Sequence, residues 1–212
     1  KDLAFVVDKD TSSLTIYNQI KKSGGRLVTN IEVFDIYDMD NESVMCKGLI
    51  EQIGSENSYA KIVTACGKTN ERSTHIIDHA QGIDIMNELL FNSGIIKSLD
   101  DIDGVGHRVV QGADIFTDAI LIDESVMKKI EELIPLAPLH NPAHLAGMKE
   151  TLKLRPDIPN VAVFDTVFHQ TMPKVSYMYA LPLEFYEKYK IRKYGFHGTS
   201  HQFVSKAGAE IL

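Results

Sequence analysis

Near residue 76 the spacing of apolar residues changes from every second position to every third or fourth, and no other feature constrains the fold as much. Upstream, five stretches carry β-branched or aromatic residues with Gly, Asn or Ser in the gaps: Leu3 to Val7, Ser13 to Tyr17, Val33 to Tyr37, Val44 to Ile50 and Tyr59 to Ala65. They predict antiparallel sheet. Downstream, Ile83, Met86, Leu89 and Leu90 are spaced for one helix face that Gly94 ends. A short apolar strand is expected over Gly104 to Val110. Asp123 is a good N-cap for a helix with the stripe Val126, Met127, Ile130, Leu133 and Ile134, which Pro135 and Pro138 end. A third helix is expected from Pro142 to Leu154, followed by a buried-type strand from Val161 to Phe164. A last helix opens at Gly195 and Gly198 and places Phe203, Val204, Ala207 and Ile211 on one face.

A strand meander followed by alternating helices and strands predicts an α/β domain with a mixed sheet and helices on its faces. The last helix carries no stop signal, so the expectation is one piece of a longer chain. At 212 residues and 44% hydrophobic content, the chain can bury a substantial core without metals or disulfides. The net charge of -7, with 24% charged residues of mixed sign, argues against nucleic acid or an anionic membrane as partner. No apolar run is long enough for a membrane span and no signal peptide is evident, so a cytoplasmic protein is expected. Cys46 and Cys66 lie in strand-like stretches without neighbouring ligands at metal spacing, and both read as buried thiols.

Four segments carry candidate chemistry. In Val105-Gly-His-Arg-Val-Val-Gln-Gly112, Arg108 stands near the end of an apolar strand. Its planar fork suits a carboxylate or phosphate, or else an acidic neighbour in the protein itself. In Leu136-Ala-Pro-Leu-His-Asn-Pro142, the prolines hold His140 and Asn141 on a rigid loop, where a donor can be aimed or a histidine can be purely structural. Val163-Phe-Asp-Thr-Val-Phe-His169 ends a buried strand with Asp165. A carboxylate there can meet a cation at a strand's carboxyl end, or cap a helix. In Tyr194-Gly-Phe-His-Gly-Thr-Ser-His201, His197 precedes a helix, and the glycines around it leave room for a ligand to approach backbone N–H groups.

In this order these segments resemble the acetate kinase family, from about Phe34 to Leu212, together with Tyr37-Asp-Met-Asp-Asn-Glu42, Leu121-Ile-Asp-Glu-Ser-Val-Met127 and Met178-Tyr-Ala-Leu-Pro182. The resemblance implies an ASKHA fold, a ribonuclease H-like architecture shared with actin, Hsp70 and sugar kinases. It also implies an ATP- and Mg²⁺-dependent phosphotransferase that makes acetyl phosphate from acetate. Residues 1–212 would be its N-terminal acceptor-binding domain, with the C-terminal nucleotide domain absent and a homodimer in the full-length form. Carried over residue by residue, Arg108 binds the carboxylate or phosphoryl group, Val110, Leu139 and Phe196 shape the acceptor pocket, and His140 assists orientation. Asp165 becomes the catalytic carboxylate beside Mg²⁺, and His197 stabilises the phosphoryl group in flight. A propionate kinase and a non-catalytic anion- or partner-binding domain are the alternatives.

The chain departs from the family pattern at its start. Where the family has Asn-x-Gly-Ser-Ser-Ser-x-Lys, this chain has Asp8, Asp10 and Thr15 at the Asn, Gly and Lys positions. Asp8, Thr11, Ser12 and Ser13 remain as phosphate candidates, with Asp8 also a candidate metal ligand. Gln111 and Ala113 stand where the family has His and Gly.

Overall fold

The structure is a computed structural model and describes residues 31–41 and 43–211. The strands expected over Leu3 to Val7 and Ser13 to Tyr17 lie outside those residues. The chain divides into two compact units, one ending at Ile102 and the other beginning at Asp103.

In the first unit, β1 (Ile31–Asp38), β2 (Ser43–Glu51), β3 (Tyr59–Thr64) and β4 (Thr69–Ser73) form one antiparallel sheet in chain order. Alternation explains its one buried face: Cys46, Gly48 and Ile50 of β2 stand opposite Thr64, Ile62 and Ala60 of β3. The helix α1 (His79–Ser93) adds Ile85, Met86, Leu89 and Leu90 to that core. Fully burying one such aliphatic side chain contributes roughly 1.5–3 kcal/mol. Asp78 caps α1 by accepting from the Gln81 N–H at 2.9 Å, and Gly94 ends it in the left-handed conformation at φ +76°. The ring of Phe34 covers Gly48, its register partner on β2, in space that a Cβ would need.

One strand is added and one expectation changes here. The edge strand β4, Thr-Asn-Glu-Arg-Ser, is almost wholly exposed and has no apolar alternation, so only its pairing with β3 reveals it. Cys66 is exposed, because β3 ends at Thr64 and the chain turns through Gly67 at φ +83°. The Thr64 hydroxyl, 3.1 Å from its sulfur, holds the Cys66 thiol below its usual pKa, whereas burial pushes the Cys46 thiol up.

In the second unit, β5 (Val105–Val109), β6 (Ile120–Leu121) and β7 (Asn160–Phe164) form a mixed sheet in the order β5-β7-β6. β5 runs parallel to β7 and places Val109 beside Phe164, while β6 pairs antiparallel. The helices α2 (Glu124–Glu132) and α3 (Asn141–Leu154) supply Val126, Ile130, Leu145 and Met148 to a core with Val109, Ala162 and Phe164. Phe116 stacks on Phe164 with ring centroids 4.1 Å apart. Asp123 caps α2 as its sequence predicts, accepting from the Val126 N–H at 2.7 Å. After β7 come two short helices, α4 (Lys174–Tyr177) and α5 (Leu183–Tyr189), then α6 (Gly198–Ile211). On α6 the side chains of Phe203, Val204 and Ile211 are exposed. Among the described residues, no helix is long and apolar enough to cross a membrane.

Candidate functional site

Parallel pairing brings the carboxyl ends of β5 and β7 together, and the chain places a charge at each end. Arg108 is paired with Val163 in register, and the N–H of Asp165 donates to the Val109 carbonyl at 2.9 Å. The two side chains then meet in a fork: Arg108 Nε donates to Asp165 Oδ1 at 2.9 Å and Nη2 to Oδ2 at 2.7 Å. Asp165 has no exposed surface, whereas the Arg108 side chain keeps 25% of its own. The acidic protein neighbour that the sequence allowed for Arg108 is therefore Asp165.

The same Nη2 lies 3.0 Å from His197 Nδ1. A guanidinium can only donate, so Nδ1 accepts, the imidazole is neutral, and its proton sits on Nε2. The result is a chain Asp165–Arg108–His197 that ends in a ring N–H donor on a half-exposed loop. His197 itself has φ +54° and directly precedes α6. A left-handed conformation costs a residue with a Cβ about 1–2 kcal/mol, so its surroundings must hold it there.

Those surroundings correct the sequence reading of the glycines. Space beside Gly195 is filled by the His169 ring, and a Cβ on Gly198 would overlap the Asp165 carbonyl. The Gly198 N–H donates to that carbonyl at 3.0 Å rather than facing a ligand. The glycines thus admit the protein's own groups to close contact.

The remaining candidates are placed around this chain. Val110 is buried, Leu139 is exposed, and His140 occupies the N-cap position of α3 without a side-chain cap bond. The fully buried Asn141 ties that loop to the end of β5, its Nδ2 donating to the Gln111 carbonyl at 3.2 Å and to the Ile130 carbonyl at 3.4 Å. Phe196 is half-exposed and walls a cavity of about 480 Å³ with Gln111, Leu136, Tyr179, Arg192 and Tyr194. The buried Arg192 guanidinium lies 3.6 Å over the Tyr177 ring and 3.9 Å from the Asp114 carboxylate. Burial, with Asp114 nearby, leaves the Tyr194 phenol pushed up to about 12. Asp8, Thr11, Ser12 and Ser13 lie outside the described residues.

Three supporting residues, Thr166, Gln170 and His169, escaped sequence reasoning, and Gln111 was noted there only as a departure from the family. Thr166 accepts from the Gly112 N–H at 3.3 Å, Gln111 from the Ala113 N–H at 2.8 Å, and Gln170 donates to the Ala113 carbonyl. They lock a turn in which Ala113 has φ +50°. His169 Nε2 lies 3.0 Å from the Phe196 carbonyl. Their shared signal is a polar residue a few positions after a buried strand. Beside Arg108, His107 is held below its usual pKa by burial, which the Asn160 hydrogen bond at 2.9 Å partly opposes.

A cation does not fit Asp165 directly, since the carboxylate is buried and both oxygens already accept from Arg108. Among the described residues no group of three or more His, Cys, Asp or Glu could hold a metal.

The sequence profile of the acetokinase family matches residues 30–212. The acetate kinase of Campylobacter fetus subsp. fetus is 77% identical over 179 residues, which are 84% of this chain and 45% of that protein. The crystal structure of Porphyromonas gingivalis acetate kinase superposes with a TM-score of 0.81 at 39% identity, over 88% of this chain and 47% of that one. A propionate kinase from Francisella tularensis superposes with a TM-score of 0.80 at 35% identity, over 88% and 47%. The chain thus spans about half the length of the relatives that it matches.

Proposed function

The chain belongs to the acetokinase family, and from that premise we propose that it supplies the acceptor side of phosphoryl transfer between ATP and acetate. The fold is the ASKHA fold of acetate and propionate kinases, with a mixed sheet in the second unit and helices. The observation that carries the proposal is the chain Asp165–Arg108–His197, which joins a guanidinium to an imidazole whose proton sits on Nε2.

The chemistry suits these groups. A small carboxylic acid is already ionised near neutral pH, so no residue has to remove a proton to make the nucleophile. The barrier lies in bringing two anions together and in the charge on the transferring group. Arg108 meets that charge with a delocalised cation, and His197 with the Nε2–H that its tautomer leaves pointing away from Arg108. Asp165 fixes the guanidinium plane through two hydrogen bonds and thereby sets the direction of both donors. Val110, Leu139 and Phe196 surround the acceptor methyl, and His140 assists its orientation. Mg²⁺ would arrive with ATP and neutralise phosphate charge. Residues 1–212 act as the acceptor-binding part of a two-domain, cytoplasmic, homodimeric enzyme.

Acetate is preferred over propionate as acceptor on the 77% identity to an acetate kinase. The likeness to a propionate kinase keeps the second acid in view, because one methylene changes binding by only about 1–3 kcal/mol. Calorimetric titration of the chain with acetate and with inorganic phosphate tests the reading. Millimolar binding that Arg108→Ala removes is expected; equal affinity in both proteins overturns it. Supplied with ATP, Mg²⁺ and acetate, the chain by itself is expected to form little acetyl phosphate, since in-line transfer requires donor and acceptor held together. Robust turnover in a coupled assay would contradict this.

A further inference from the structure

His169 closes the helical turn Val167–His169 that follows β7, four residues beyond Asp165. Its Nε2 lies 3.0 Å from the Phe196 carbonyl, and a carbonyl only accepts, so Nε2 carries the proton. Its ring fills the space beside Gly195, which has φ +79°. The ring also stands edge-on to His201 of α6, with centroids 5.6 Å apart. The segment from Gly195 to Gly198 therefore has two pins. One is the His169 hydrogen bond to the Phe196 carbonyl, and the other is the Gly198 N–H bond to the Asp165 carbonyl at 3.0 Å. Between them stands His197 in its left-handed conformation, with Nδ1 on Arg108.

We propose that His169 is a positioning residue for His197: its hydrogen bond to the Phe196 carbonyl holds the strained loop so that the His197 imidazole stays on Arg108 and presents Nε2–H. The inference rests on the role of His197 proposed above. Backbone strain persists only where the surroundings over-determine it. Without the His169 donor, the peptide between Phe196 and His197 is free to rotate toward negative φ. The imidazole then leaves the guanidinium that selects its tautomer.

Nitrogen-15 spectra of the imidazoles test this in the chain as it stands. In the wild type, His197 is expected as the single Nε2–H tautomer. His169→Phe keeps a ring against Gly195 but lacks the donor, and should give mixed His197 tautomers and at least about fivefold weaker phosphate binding. His169→Gln, whose amide N–H can reach the same carbonyl, should restore both. A His169→Phe protein in which His197 keeps one tautomer and phosphate affinity is unchanged overturns the proposal. If His169→Phe does not fold, failure of His169→Gln to keep the wild-type His197 signals overturns it equally. Failure of the functional reading shows elsewhere, as phosphate affinity indifferent to Arg108→Ala, while the His197 spectra still decide the role of His169.

Discussion

The two units differ in how far along the chain their polar side chains reach for partners, although Gln111 and Asn160 of the second also bond locally. In the unit ending at Ile102, the Ser58 hydroxyl donates to the Gln52 and Ser55 carbonyls, and the Thr64 hydroxyl to the Lys68 carbonyl, all within six residues. In the unit from Asp103, Asn141 reaches the Gln111 carbonyl, Thr166 the Gly112 N–H, and Arg108 both Asp165 and His197. These partners are 30 to 89 residues apart in sequence. Local bonds close a turn. Long-range bonds at the ends of parallel strands hold functional groups in a fixed geometry, at the expense of desolvating them.

The largest test of this contrast is Asp165→Ala. It leaves the Arg108 guanidinium without the carboxylate that balances it, and should lower stability by about 3 kcal/mol, read from urea midpoints. That figure is at the low end for a buried pair because Arg108 retains some water contact. A loss below about 1 kcal/mol would mean that Arg108 re-pairs easily and that the second unit is no more preorganised than the first.

Glycine substitutions sharpen the comparison at the next level. At Gly198 an added Cβ meets the Asp165 backbone carbonyl, which cannot move without disturbing β7, so Gly198→Ala should cost about 2 kcal/mol. At Gly48 the obstacle is the Phe34 ring, a side chain that can swing aside, and Gly48→Ala should cost about 1 kcal/mol. Thermal unfolding of the two variants measures the difference, and the reverse order would break the contrast.

A smaller effect is expected from pH. His107, on β5, has a folded pKa below its usual value because burial disfavours the imidazolium. The unfolded chain therefore binds the proton first, and stability is lost as pH falls through about 6.5 toward the lower folded value. Melting curves over about pH 7.5 to 5.5 should show a steeper decline for the wild type than for His107→Gln. In the first unit, Asp101 is held below its usual value by the Lys97 and Ser98 backbone N–H groups. Its contribution is present above the unfolded pKa and is lost only in more acidic solution.

The smallest effect is expected at the exposed pair of Arg72 and Glu88 in the first unit, with about half of each side chain in water. Glu88→Ala should change stability by less than about 0.5 kcal/mol in the same urea experiment. A change as large as that of Asp165→Ala would erase the distinction between the units.

Much of the scaffold can be read in advance because its causes lie within a few residues. The stripes of α1 and α2, the Asp123 cap, the Gly94 stop and the apolar β7 all follow from local periodicity and capping chemistry. Arg108 and Asp165 were also legible as chemistry-bearing residues, since a charge at the end of a buried strand must find a partner. The two-residue β6 and the polar edge β4 were not, because hydrogen bonds to a neighbouring strand define them and side-chain pattern does not.

What the sequence determined by itself is therefore the set of elements and the residue types available at their ends. Tertiary structure decided the pairings. Arg108 had no identifiable protein partner until the parallel register of β5 and β7 set it against Asp165. Gly195 and Gly198 mark a close approach in either reading, and only packing shows that His169 and the Asp165 carbonyl are what approach. The His197 tautomer follows from a donor 89 residues away. The physical reason is common to all three. Helix and strand formation is governed by interactions along the chain, whereas the direction of a polar side chain depends on which distant group reaches it when water is excluded.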